Sequence, residues 1–221
     1  ILFSIFVNAQ EFSREEYRLE LYTGFVSKNY SKLPPISPAF VGEISYSKMW
    51  PGKKEWHAKY RYPTFYTSLF FGHPGNKIYG YFIGISPQFS MKFPISKNFN
   101  YSVKAGIGPA YHTKPWDVSD NPLNMLVGSH ITAIANAHIS LDYKIGKSVL
   151  GLSLGVIHFS NGHVKLPNIG TNMPVAGINF KILGHDRKSF SQIEILKTEL
   201  CMDKSIRFFV GIGAGVHEYG S

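Results

Sequence analysis

His158 and Ser160 stand two residues apart in the segment SVLGLSLGVIHFS, and together they bring a base and a nucleophile to one place. A serine hydroxyl attacks poorly until a base takes its proton. In an extended chain, residues i and i+2 share a face and lie about 6.6 Å apart along the strand, so an imidazole can lean over the hydroxyl. That pairing suits acyl transfer and ester hydrolysis. The other histidines, His57, His73, His112, His130, His138, His163, His185 and His217, show no ligand-like spacing, so neither a metal nor another cofactor is expected. The lone Cys201 cannot form an internal disulfide, and the run Gly211 to Gly215 lacks the strand–turn–helix setting of a nucleotide loop.

The elements that must position the pair are strands. Around His158, Leu150, Leu152, Leu154 and Val156 alternate with Val149, Gly151, Ser153 and Gly155, which puts His158 and Ser160 on the apolar side. From Ile131 to Ile145 the same two-residue period sets Ile131, Ala133, Ala135, Ala137, Ile139, Leu141, Tyr143 and Ile145 against Thr132, Asn136, His138, Ser140, Asp142 and Lys144. It recurs at Tyr79 to Phe93, with Tyr79, Tyr81, Ile83 and Ile85 on the apolar face, and at Ile206 to Val216. Ten candidate strands follow: 14–26, 38–48, 57–70, 78–93, 99–112, 131–145, 148–160, 174–183, 190–202 and 205–217. Most exceed the roughly five to six residues of soluble sheets.

Long strands, apolar on one face and small or polar on the other, predict an all-β, antiparallel transmembrane β-barrel of the outer-membrane type, with 8–10 or more strands. A soluble barrel with an apolar interior is the alternative. The polar face, with its Gly, Ser, Lys, Asp and His, suits a narrow lumen better than a solvated exterior. His138 reads as a lumen residue hydrogen-bonded to its neighbours. The connections at 93–99 and 144–148 are tight, whereas 113–130 and 161–173 are long, so the latter belong outside and the end of 148–160 lies near the outer leaflet. There an interfacial polar pair costs only about 0–1 kcal/mol, which leaves open a reading of His158 and Ser160 without chemistry.

Composition agrees with a barrel. In 221 residues, 44% are hydrophobic and 17% charged, below the roughly 25% of soluble domains. No apolar run approaches the roughly 20 residues of a transmembrane helix. Ile1 to Ala9 read as the remnant of a signal peptide, with a buried first strand as the alternative, and 10–221 as a single barrel domain, with truncation at its C-terminus left open. The net charge of +9 comes without a nucleic-acid motif. His185, Arg187 and Lys188 read as a solvated turn, and external Lys28, Lys32, Lys114 and Lys165 could meet anionic lipid.

His158-Phe159-Ser160-Asn161, followed by Pro167-Asn168-Ile169-Gly170-Thr171-Asn172, resembles the motif H-x-S-N then P-N-x-G-x-E of the PagL-type lipid A 3-O-deacylases. The resemblance implies an esterase in the outer membrane of a Gram-negative bacterium that removes an ester-linked acyl chain from lipid A. It implies Ser160 as nucleophile, His158 as base, Asn168 in the oxyanion hole, and Asn161 and Gly170 as positioning residues. One position departs: Asn172 stands where the family has Glu. Three readings follow: a Ser-His-Asn triad, a Ser-His pair assisted by a carboxylate elsewhere, or a non-catalytic barrel, structural or a small pore. A phospholipase-like esterase is a further reading.

Overall fold

The computed structural model describes residues 15–28, 33–35, 37–48 and 63–184. The expected leader 1–9, the strands 190–202 and 205–217, Lys32, Cys201, the glycine run and the His185 to Lys188 cluster lie outside the described residues.

Eight antiparallel strands form a closed barrel in sequence order: β1 (Glu15–Phe25), β2 (Pro38–Lys48), β3 (Thr64–His73), β4 (Phe82–Pro94), β5 (Phe99–His112), β6 (Ile131–Ile145), β7 (Ser148–Ser160) and β8 (Thr171–Leu183). β8 pairs with β1, from Glu16 opposite Leu183 to Gly24 opposite Val175, so the barrel closes within these eight. Closure removes both free edges.

The alternation puts Leu19, Leu21, Ile44, Ile85, Ile139, Leu152, Leu154 and Ile178 outside, and buries Glu20, Ser45, Gln88, Lys104, Asp142, Ser153 and Asn179 inside. Aromatic side chains ring the outer face at both ends. Tyr17 meets Tyr46, Phe93 meets Tyr101 and Phe99 meets Tyr143 at the end with the tight turns. Phe25, Phe40, Phe71 and Tyr111 are exposed at the end with the long loops. An apolar band between two aromatic girdles is the outer surface of a barrel that lies in lipid. β2 ends at Lys48 and β3 begins only at Thr64, so the spacing of these two strands at the tight-turn end departs from the expected length pattern.

Inside, ion pairs fill the lumen. Lys104 Nζ bridges Glu20 Oε2 (2.5 Å) and Glu43 Oε1 (2.6 Å), Arg18 Nη2 reaches Glu20 Oε1 (2.6 Å), and Lys181 pairs with Asp142 (2.5 Å). Removing one partner from such a buried set leaves an uncompensated charge, at a cost of about 3–5 kcal/mol. Two expectations are corrected here. Neither ring nitrogen of His138 has a hydrogen-bond partner among the described residues; the ring stacks on Tyr22 at 4.9 Å, because Gly155 opposite it has no side chain and Lys104 beside it is taken by the two glutamates. Tyr79 is buried rather than outward, because Asn76 to Gly80 form a turn, with Gly80 at φ +62°, and β4 begins only at Phe82.

Toward the long loops the interior changes from polar to apolar. Phe70, Phe82, Ile134, Ile157, Phe159 and Met173 pack with Leu126 and Val127 from the 113–130 loop. This apolar plug supports the outer end of β7.

Candidate active site

Phe159 points inward between His158 and Ser160. It is fully buried, edge-on to His112 at 4.8 Å and 4.6 Å from Phe82. Its burial fixes the facing of its neighbours, because the side-chain period of a strand is two and a slip of one residue would bury both polar groups. His158 and Ser160 are consequently half-buried on the outer wall. Across the β6–β7 ladder they oppose Ala135 and Ala133, so that side of the pair is low and open.

On the other side β8 brings Asn172 directly opposite His158, and His158 Nδ1 lies 2.8 Å from Asn172 Oδ1. An amide oxygen only accepts, so Nδ1 carries the proton in this contact. Asn168 Nδ2 donates to Ser160 Oγ at 2.9 Å, and the Gly162 amide donates to the same oxygen at 3.1 Å. The Asn161 amide holds Asn168 Oδ1 at 3.2 Å, which fixes which way the Asn168 amide faces. Asn161 itself ties the loop, its Nδ2 donating to the Lys165 carbonyl (2.7 Å) and to Ser129 Oγ (3.2 Å). Gly170 sits at φ +79°, a conformation that favours glycine, and a Cβ there would stand 3.1 Å from His158 Cε1.

All six residues singled out in the sequence thus converge. Gly162 was not among them, and neither was the 113–130 loop that holds them. The Ile169 and Gly170 amides donate to the carbonyls of Met125 and Leu126 (3.2 and 3.1 Å), and the Trp116 amide donates to Val127 (2.7 Å). A Cβ on Gly128 would meet the carbonyl oxygens of Pro167 and Lys165 at 2.5 and 2.7 Å, so glycine permits the two loops to touch. The far turn of the same loop is pinned at Asp117, whose exposed carboxyl is held below the usual range by the Asp120 and Ser119 amides. No motif links 113–130 to 161–170 in the sequence, since backbone hydrogen bonds do not specify side chains. Among the described residues, no group of three or more His, Cys, Asp or Glu is arranged to hold a metal.

The sequence pattern of the family described as PagL, lipid A 3-O-deacylase, matches residues 41–181. The chain belongs to the PagL family. That match spans β2 to β8 and contains every residue of the cluster above. The fold is similar to the crystal structure of the outer membrane enzyme PagL, with a TM-score of 0.52 and 18% identity over 75% of this chain and 98% of that one. It is equally similar to the crystal structure of Neisserial surface protein A, with a TM-score of 0.52 and 10% identity over 78% of this chain and 98% of that one. No curated protein sequence matches the chain. With its exposed apolar band, this PagL-family chain is an outer-membrane β-barrel of a Gram-negative bacterium. Where the PagL-type motif has Glu, the hydrogen bond to the imidazole is made by Asn172.

Proposed function

We propose that the protein hydrolyses an ester of lipid A, releasing an acyl chain, with Ser160 as nucleophile, His158 as base and Asn172 as the group that orients the imidazole. The observation that carries this reading is the 2.8 Å contact between His158 Nδ1 and Asn172 Oδ1, which gives the role of base to the other ring nitrogen, Nε2, with Ser160 two residues along on the same strand. Membership of the PagL family supports the substrate class, and the exposure of the pair on the lipid side supports access from the leaflet.

The steps follow from these positions. Ser160 Oγ gives its proton to His158 Nε2 and bonds to the ester carbon, and the carbonyl oxygen becomes an oxyanion. Asn168 Nδ2 and the Gly162 amide, which both rest on Ser160 Oγ, are within a small shift of that oxyanion and receive its charge. Collapse breaks the carbon–oxygen bond to the sugar, and His158 returns the proton to the departing alkoxide. Water, deprotonated by His158, then bonds to the acyl carbon; the carbon–Oγ bond breaks, His158 passes the proton to Ser160 Oγ, and the fatty acid is freed.

Lipid A from cells with and without the protein, compared by mass spectrometry, tests the function. A species lighter by one acyl chain is expected, and an unchanged pattern with abundant folded barrel favours the non-catalytic reading. The Asn172 substitution is the observation behind that second reading. Its pore version is opposed by the ion pairs that fill the lumen around Lys104 and Glu20. Asn168→Ala is expected to lower turnover by about 10²–10³-fold with little change in KM, the signature of a lost oxyanion donor, read from initial rates on purified lipid A.

A further inference from the structure

Ser129 lies near the end of the 113–130 loop, two residues before β6 starts at Ile131, and it is hydrogen-bonded to the Ser160 cluster from outside the motif. We infer that its hydroxyl is a positioning group for the reaction, acting through Asn161 on both of the donors that rest on Ser160 Oγ. The inference rests on the esterase reading above and adds what aims those donors.

The contacts run in one direction. Ser129 Oγ gives its only proton to the Ile131 carbonyl at 2.7 Å, so toward Asn161 it can only accept. Asn161 Nδ2 donates to it at 3.2 Å and to the Lys165 carbonyl at 2.7 Å. Both partners are acceptors, so the Asn161 amide fits one way round; turned over, its oxygen would face two other oxygens. The peptides on either side of Asn161 then carry the effect to the nucleophile. Its own N–H holds Asn168 Oδ1 at 3.2 Å, which aims Asn168 Nδ2 at Ser160 Oγ, and the next peptide carries the Gly162 amide that donates to the same oxygen. One fixed side chain therefore sets both donors.

Local capping does not account for this arrangement. A serine that only closed the start of β6 would need its bond to Ile131 and nothing more, yet Ser129 Oγ also takes a donor from a residue 32 positions away. Its neighbour Gly128 is where the two loops come closest, since a Cβ there would meet the carbonyl oxygens of Pro167 and Lys165. Ser129 is half-buried, so water can replace its oxygen as a partner for Asn161, and losing the hydroxyl costs aim more than stability. Donors that face a developing oxyanion act in the transition state, so poorer aim lowers kcat and leaves substrate binding alone.

The test measures fatty acid release from purified lipid A by the full-length barrel in detergent, with heat-modifiable mobility identifying folded protein. Ser129→Ala is expected to lower kcat by about tenfold with KM unchanged, inside the roughly 10²-fold that a 1 Å misplacement can cost. Ser129→Thr, which keeps the hydroxyl, is expected to retain the parental kcat. A double-mutant cycle separates aim from general loosening of the loop. If Ser129 acts through Asn161 on Asn168, Ser129→Ala costs a smaller factor in the Asn168→Ala background than in the parent, because one of the two donors it aims is already gone. A folded Ser129→Ala barrel with the parental kcat, or a loss of the same factor in both backgrounds, overturns this inference alone. A parent barrel that releases no fatty acid overturns the esterase reading, and this inference with it.

Discussion

Ser160→Ala is expected to reduce lipid A deacylation by about 10⁶-fold, and His158→Ala by a similar factor, because nucleophile and base act as one unit whose members cannot substitute for each other. The barrel should be untouched by either change. Both side chains are half-buried on the outer wall, while the packing of that strand end depends on Phe159, Ile157, Phe82 and His112. Removing the Ser160 hydroxyl frees only Asn168 Nδ2 and the Gly162 amide. The measurement is release of fatty acid from purified lipid A by each variant, alongside heat-modifiable mobility as the check on folding. Full deacylation by folded Ser160→Ala protein removes the nucleophile assignment and the mechanism built on it.

Asn172→Glu is expected to accelerate the reaction, by a factor bounded at about 10⁴, the loss seen when the carboxylate of a Ser-His-Asp site is changed to its amide. Asn172 Oδ1 already accepts from His158 Nδ1 at 2.8 Å, so it fixes the tautomer. What it lacks is negative charge to stabilise the imidazolium formed when Ser160 gives up its proton. The ladder places position 172 directly opposite His158, and a glutamate there carries one more methylene with which to reach the ring. No ion pair between His158 and a carboxylate is found among the described residues, so the added charge does not duplicate an existing one. The gain should fall on kcat rather than KM, because the imidazolium exists only after the substrate is bound. A Glu variant no faster than the parent would show that orientation alone is what this position supplies.

The barrel was legible because its physics is local. Alternation of Leu150, Leu152 and Leu154 with Gly151, Ser153 and Gly155 is a property of a few consecutive residues, and a strand in lipid has to obey it along its whole length. The same rule put His158 and Ser160 on the outer wall, where they stand. The motif grouped Asn161, Asn168, Gly170 and Asn172 with the pair, and the structure sets them beside it, since side chains that meet one another leave a pattern of residue types. Local reading failed where the chain turns or where partners are remote. Tyr79 followed the alternation by type but belongs to a turn set by Asn76 and Gly80, and His138 was given hydrogen bonds that Gly155 opposite it cannot make.

By itself, the sequence determined which residues face lipid, which end of β7 bears the polar pair, and which side chains surround it, because strand period and side-chain chemistry are written one residue at a time. Tertiary structure alone decided that eight strands close through β1 and β8, that Gly162 joins Asn168 on the Ser160 oxygen, and that the 113–130 loop holds the 161–170 loop in place. Those contacts run through backbone amides and carbonyls that every residue type carries, so no amino-acid code announces them, and only the closing of the barrel brings the partners within reach.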